Sequence, residues 1–167
     1  MISTRELDIE FVRSSSDLEP VKALFTAYMA MPHHEMECCE YDSASEIESL
    51  PEPYVEPRGA ILMASLNTQP VGCVALAPFN EHRTCEMRRL YVLPEARGQG
   101  IGRTLVEQIM EVARGLGYRV MRLDTAPELA VAIGLYEELG FLRVQTDRGH
   151  GACSLSFFIN LLEPLGT

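Results

Sequence analysis

The stretch ARGQGIGRTL, Ala96–Leu105, sets glycines at 98, 100 and 102 immediately before a run with helical apolar spacing. Glycine accepts the positive-φ backbone that side chains disfavour, so the run permits a turn closed to most sequences. Its neighbours say what the turn joins. Upstream, TCEMRRLYV, Thr84–Val92, is rich in β-forming residues and stops at Pro94. Downstream, Ile101, Leu105, Ile109, Val112, Ala113 and Leu116 keep helical steps, and Gly117 is placed to close the helix. YRVMRLDT, Tyr118–Thr125, then reads as a buried strand. Strand, glycine turn, helix and strand make a parallel crossover unit.

The rest of the chain supplies flanking strands and helices. DIEFVRS, Asp8–Ser14, alternates like a strand. Ser16 or Asp17, with Glu19 close behind, is the expected N-cap of a helix striped by Val21, Leu24, Phe25, Tyr28 and Met29 and ending near Pro32. Ser43–Leu50 predicts a weaker helix, and LPEPYVEPRG a loop. GAILMASL and PVGCVALAP, on either side of Asn67–Pro70, predict an antiparallel hairpin. Glu128–Leu139 predicts another helix closed by Gly140, and FLRVQ with ACSLSFFINLL a last hairpin around Asp147–Gly151. The expected class is α/β: a mixed, mostly antiparallel twisted sheet, a central parallel βαβ unit, and helices on both faces.

Composition narrows the partners. With 167 residues, 47% hydrophobic and 23% charged, the chain fits one domain around a single core. No apolar stretch approaches the roughly 18 residues a membrane span needs. A net charge of -10 repels a phosphate backbone, so nucleic acid is not expected as a partner, and cationic or small neutral substrates fit better. Five cysteines, an odd number, and an opening MISTRELDIE without an apolar block predict free thiols and a cytoplasmic location.

Between a strand and a helix, the amides of Gly98 to Gly102 can turn onto an anion while the helix dipole adds positive potential, a phosphate cradle. The G-x-G-x-G spacing lacks the wider gap of the dinucleotide fingerprint, and no Gly-Lys-Ser/Thr completes a nucleotide P-loop, so hydride and phosphoryl transfer both weaken. The plainer alternative is a turn that only permits tight packing. His33, His34, Cys38 and Cys39 in HHEMECC are zinc-ligand types, but adjacent pairs converge poorly on one tetrahedron, and no metal is expected. Cys73 and Cys85 lie on expected strands and read as buried, inert thiols.

Arg97-Gly98-Gln99-Gly100-Ile101-Gly102 resembles the Q/R-x-x-G-x-G/A signature of the GNAT superfamily of acetyl-CoA-dependent N-acetyltransferases. Ala132–Phe141, AIGLYEELGF, resembles the family's A-I-x-L-Y-x-x-x-G-F block. The likeness runs from about residue 60 to 158 in element order. It implies one GNAT-like domain over 1–167, with an acetyl-CoA-binding core at 60–162 and a loosely matched acceptor side at 1–59. The implied reaction is acetyl transfer from acetyl-CoA to a primary amine of a small molecule, amino acid or peptide by direct attack. The alternative is a non-catalytic acyl-CoA sensor or regulatory module. Homodimers are frequent among similar proteins, although no symmetric patch is legible here.

The resemblance also implies site residues. Arg97, Gly98, Gln99, Gly100, Ile101, Gly102 and Arg103 would hold the cofactor's diphosphate. Leu90, Tyr91 and Val92 would pair with the pantetheine arm, and an N–H of Leu90 or Val92 would polarise the thioester carbonyl. Leu129 stands where many members have a cofactor-contacting asparagine, and Asp124 or Thr125 is expected to supply that contact. An acceptor amine with a lysine-like pKa must shed a proton at about 4.6 kcal/mol near pH 7. Glu86 matches the general-base glutamate of the histone-acetylating branch, acting directly or through water; its other reading is an ion-paired carboxylate. Tyr136 matches the acid for the departing thiolate; its other reading is a core aromatic. Arg88 and Arg89 are expected on opposite faces of their strand, so that one enters the acceptor pocket to bind a carboxylate or pairs with nearby glutamates.

Overall fold

In a computed structural model, which describes residues 5–32, 43–80, 83–144 and 155–162, the alternating runs assemble into one seven-stranded sheet. The elements are β1 (Leu7–Phe11), α1 (Ser15–Met29), α2 (Ser43–Ser49), β2 (Ala60–Leu66), β3 (Gln69–Phe79), β4 (Thr84–Val92), α3 (Ile101–Gly115), β5 (Val120–Thr125), α4 (Ala130–Glu138), β6 (Leu142–Val144) and β7 (Leu155–Asn160). The strand order is β1-β2-β3-β4-β5-β7-β6. β4 and β5 run parallel, and the other neighbours are antiparallel, as expected for the crossover unit and its flanks. The Asp147–Gly151 turn of the last hairpin, and His33, His34, Cys38 and Cys39, lie outside the described residues.

Local chemistry sets the element ends. Asn67 and Thr68 both take positive φ, at 49° and 69°, the mirror-image turn whose twist suits a two-residue hairpin between β2 and β3. Ser14, rather than Ser16 or Asp17, caps α1: its Oγ accepts the Asp17 N–H at 3.3 Å, and the Asp17 carboxylate accepts the Ser14 N–H at 3.1 Å. The reciprocal pair is available because β1 ends at Phe11, short of the expected Ser14.

The sheet buries a core on each face. Ile101, Leu105, Val106, Ile109, Met110 and Ala113 of α3 pack with Met87, Leu123 and Phe157 of the sheet and Tyr136 of α4. Each large apolar side chain buried this way contributes about 1.5–3 kcal/mol. Across the sheet, Val21, Leu24 and Phe25 of α1 meet Ile61, Cys73, Ala75 and Ala77.

Two irregularities at the centre shape the site. The parallel register covers only Thr84↔Val120, Cys85↔Met121 and Glu86↔Arg122, after which β4 continues to Val92 without β5 beside it. The strands therefore splay. On the other side, Cys73 pairs with Tyr91 and Ala75 with Arg88, so Val74 stands opposite both Arg89 and Leu90. This is a β-bulge in β4, with Arg89 at φ 57°. The extra residue shifts the side-chain alternation by one. Glu86 and Arg88 face α1 and α2, and after the bulge so do Arg89 and Tyr91, while Leu90 and Val92 pack toward α3. The expected alternation of Arg88 and Arg89 is thus overturned: both lie on one face, because a bulge separates them.

Candidate active site

The glycine turn crosses the open end of the splay. Gly98 and Gly100 sit in the left-handed region at φ 78° and 77°, and a Cβ built on either meets nothing within 4 Å. Gly100 is the N-cap of α3 and, having no side chain, leaves the helix end uncapped. The helical ladder begins with Thr104 N–H donating to Gly100 O at 3.1 Å. Among the described residues, no backbone acceptor meets the N–H groups of Gly98 to Arg103. Orphan donors at the positive end of a helix dipole, facing open space, suit a diphosphate. Gly102 has a different use: its Cβ would stand 3.9 Å from both Leu135 and Val92, where α3 closes on α4 and β4.

The side chains of the turn are engaged within the protein. Arg97 Nε donates to Val92 O at 2.8 Å, and its guanidinium lies 5.6 Å from the Tyr91 ring centre, tying the turn to the end of β4. Gln99 accepts from Arg5 and donates to Ala96 O at 3.2 Å. Arg103 pairs with Glu107 at 3.4 Å and Glu138 at 3.0 Å. The unmet backbone amides, with the two Arg97 Nη groups outside the Val92 bond, are the donors this turn presents. Ile101 is buried in the core beneath them.

Glu86 lies on β4 at the point where the strands part, only 8% exposed. Arg88 Nε bonds one carboxylate oxygen, and Arg122 Nη1 donates to the other at 2.9 Å. Arg122 in turn donates to Asp124 at 2.6 Å and covers the Phe79 ring at 4.2 Å. The ion-paired reading of Glu86 therefore holds as geometry, at the same place as the gap. Asp124 is exposed and also accepts from Ser156 Oγ at 2.6 Å, while Thr125 is buried. Leu129 is the N-cap of α4 and makes no side-chain cap.

Tyr136 projects from α4 into the core with its ring centre 5.7 Å from Phe141 and 6.1 Å from Phe157. Burial pushes its phenol well above the ordinary value, and the Tyr28 phenol from the opposite face pushes the same way. Tyr28 stacks edge-on against Tyr91 at 6.1 Å. Cys73 and Cys85 are buried thiols pushed up to about 12 by desolvation, the inert state expected for them.

Glu46, Tyr54 and Arg89 form a buried network that the sequence alone does not signal. Arg89 Nη2 donates to Glu46 at 2.6 Å across a separation of 43 residues, and the Tyr54 hydroxyl bonds the same carboxylate. None of the three carries a local motif, and only the sheet brings α2 over the bulge. Among the described residues, no group of His, Cys, Asp and Glu is arranged to hold a metal ion.

The Acetyltransferase (GNAT) family profile matches residues 25–141. An uncharacterised N-acetyltransferase of Schizosaccharomyces pombe is 34% identical over 142 residues, spanning 84% of this chain and 86% of its own. Among solved structures, a GNAT-family acetyltransferase from Staphylococcus aureus aligns with a TM-score of 0.76 at 16% identity, over 93% of this chain and 99% of that one. A protein from Salmonella typhimurium, solved with its cofactor acetyl-CoA, aligns with a TM-score of 0.69 at 20% identity, over 93% and 94%. At such identities the structural likenesses speak for the fold. The profile and the yeast relative speak for descent, and with the glycine turn and splayed strands in place, the chain belongs to the GNAT family of acetyltransferases.

Proposed function

We propose that this acetyltransferase moves an acetyl group from acetyl-CoA to the primary amine of a small molecule, amino acid or peptide by direct attack. The observation that carries the reading is the left-handed glycine turn, with open space above Gly98 and Gly100, set beside the β4–β5 gap. The Salmonella neighbour with acetyl-CoA supports the cofactor. In this reading one domain spans 1–167, with 60–162 binding the donor and 1–59 shaping the acceptor side.

When bound, acetyl-CoA supplies an activated thioester carbonyl. The amides of Gly98 to Arg103 hold the diphosphate, and the unpaired edge of Leu90, Tyr91 and Val92 aligns the pantetheine arm. An N–H of Leu90 or Val92 would donate to the carbonyl oxygen and stabilise charge that develops there. Glu86 accepts the ammonium proton, directly or through a water, while Arg88 and Arg122 fix its carboxylate. Tyr136, kept neutral by burial, would give its proton to the departing sulfur and regain one from the attacking nitrogen as the amide forms. Asp124 or Thr125 stands in for the contact that Leu129 does not offer.

The partners follow from charge and topology. A net charge of -10 disfavours nucleic acid, and no described helix is long and apolar enough to cross a membrane. Five cysteines, with Cys73 and Cys85 free, fit a reducing compartment such as the cytoplasm. The test is a thiol-release screen with acetyl-CoA over amines, amino acids, polyamines and peptides. Release that requires one class of primary amine is expected. Bound acetyl-CoA with no release across the whole panel would overturn the reading.

A further inference from the structure

Behind the donor edge, the bulge of β4 is clamped from the acceptor side. Glu46 of α2 is 6% exposed, and its carboxylate takes Arg89 Nη2 at 2.6 Å and Arg89 Nε at 3.1 Å to each oxygen. The Tyr54 hydroxyl bonds the same group, and Tyr54 itself is wedged edge-on against Phe25 of α1 at 6.1 Å. Arg89 lies 5.5 Å from the Tyr28 ring centre, and its carbonyl accepts the Cys73 thiol at 3.4 Å. Arg89 is therefore held both by its guanidinium and by its backbone carbonyl.

That arrangement is costly. A non-glycine residue in the left-handed region, as Arg89 is at φ 57°, is strained. Taking two charges out of water is costly too, so a buried pair adds little net stability over an apolar filling. Such features persist where the surroundings over-determine one geometry, often beside a functional site. The geometry determined here is the course of Leu90, Tyr91 and Val92 past the end of the β5 pairing, since Leu90 is the second residue of the bulge and Tyr91 and Val92, still paired to β3, follow it.

We propose that the Glu46–Arg89 ion pair is a positioning device for the acyl donor. By holding Arg89 in its bulge, it sets the backbone edge of Leu90–Val92 and couples α2, on the acceptor side, to the strand that receives the pantetheine arm. Neither residue touches the donor; both act through the backbone of β4. The inference rests on the donor-site reading above.

The test is calorimetric titration of coenzyme A, without acceptor, together with the amide resonances of Leu90, Tyr91 and Val92 in the free protein. Glu46→Gln keeps the size of the side chain and removes its charge. Arg89→Lys keeps the charge and removes the fork. Each is expected to weaken coenzyme A binding about tenfold and to shift those amides. Leu50→Ala, which loosens the same buried cluster and leaves both charged side chains in the chain, is expected to lower Tm while leaving affinity within about twofold. Should one of the charge variants fail to fold, the other carries the test. Wild-type affinity and unmoved amides in the folded charge variants overturn this inference alone. An equal loss in Leu50→Ala overturns it too, because any loosening would then suffice. Wild-type protein that binds no coenzyme A refutes the donor site, and the inference falls with it.

Discussion

Replacing Gly100 by alanine separates backbone strain from ligand exclusion, because α3 carries a matched control at its other end. Gly100 has φ 77° and Gly117 φ 89°, and at both a Cβ meets nothing within 4 Å. The two substitutions therefore suffer the same left-handed penalty, about 1–2 kcal/mol, and no clash. For a chain of this size that is a fall of about 2–8 °C in Tm. Only at Gly100 does the new methyl enter the space in front of the orphan amides. Loss of a hydrogen bond or two to a charged oxygen there costs about 1.5–3 kcal/mol, or about ten- to a hundredfold in coenzyme A affinity. Gly100→Glu adds like charge against the diphosphate, worth about 1–4 kcal/mol at 4 Å across surface dielectrics, and is expected to abolish measurable binding. Thermal melts and calorimetric titration of the three variants read both quantities. Equal affinity in Gly100→Ala, Gly117→Ala and wild type would refute the cradle, whatever the melts show.

Three further outcomes are expected. Glu86→Gln should lower turnover by about a hundredfold and displace the basic rise of the pH–rate profile more than it changes coenzyme A affinity; an unaltered profile leaves Glu86 as the ion-pair partner of Arg88 and Arg122 only. Tyr136→Phe should lower turnover with cofactor affinity unchanged, and the wild-type rate should not fall through ionisation of Tyr136 below about pH 10, since burial raises its phenol; full activity in the variant assigns Tyr136 to packing. Cys73 and Cys85 are raised in the folded chain from 9.0 to about 12, so the folded state keeps protons that the unfolded chain releases. Their stabilisation is intact below pH 9 and is lost as pH climbs toward 12, by about 1.4 kcal/mol per pH unit for each thiol. Urea midpoints against pH should fall less steeply in Cys73→Ala, and identical slopes would remove that thiol from the linkage.

What the amino-acid order determined by itself was local. The positions of Gly98 and Gly100 announce a left-handed turn because the freedom they need belongs to the residue, and the stripe of α3 announces a helix because its period repeats within a few turns. Strand, turn, helix and strand then leave one handed connection, and the central parallel pair follows. Even the cap of α1 is written in Ser14 and Asp17, but the alternation of DIEFVRS runs three residues past the true strand end at Phe11 and hides it. Tertiary structure decided the rest. The bulge that turns Arg89 to the face of Arg88 exists only in the register of β4 against β3. Glu86 meets Arg122 across 36 residues, and Glu46 meets Arg89 across 43. Pairings at that range are chosen by how the sheet closes and what its helices bury, and no window of neighbouring residues carries them.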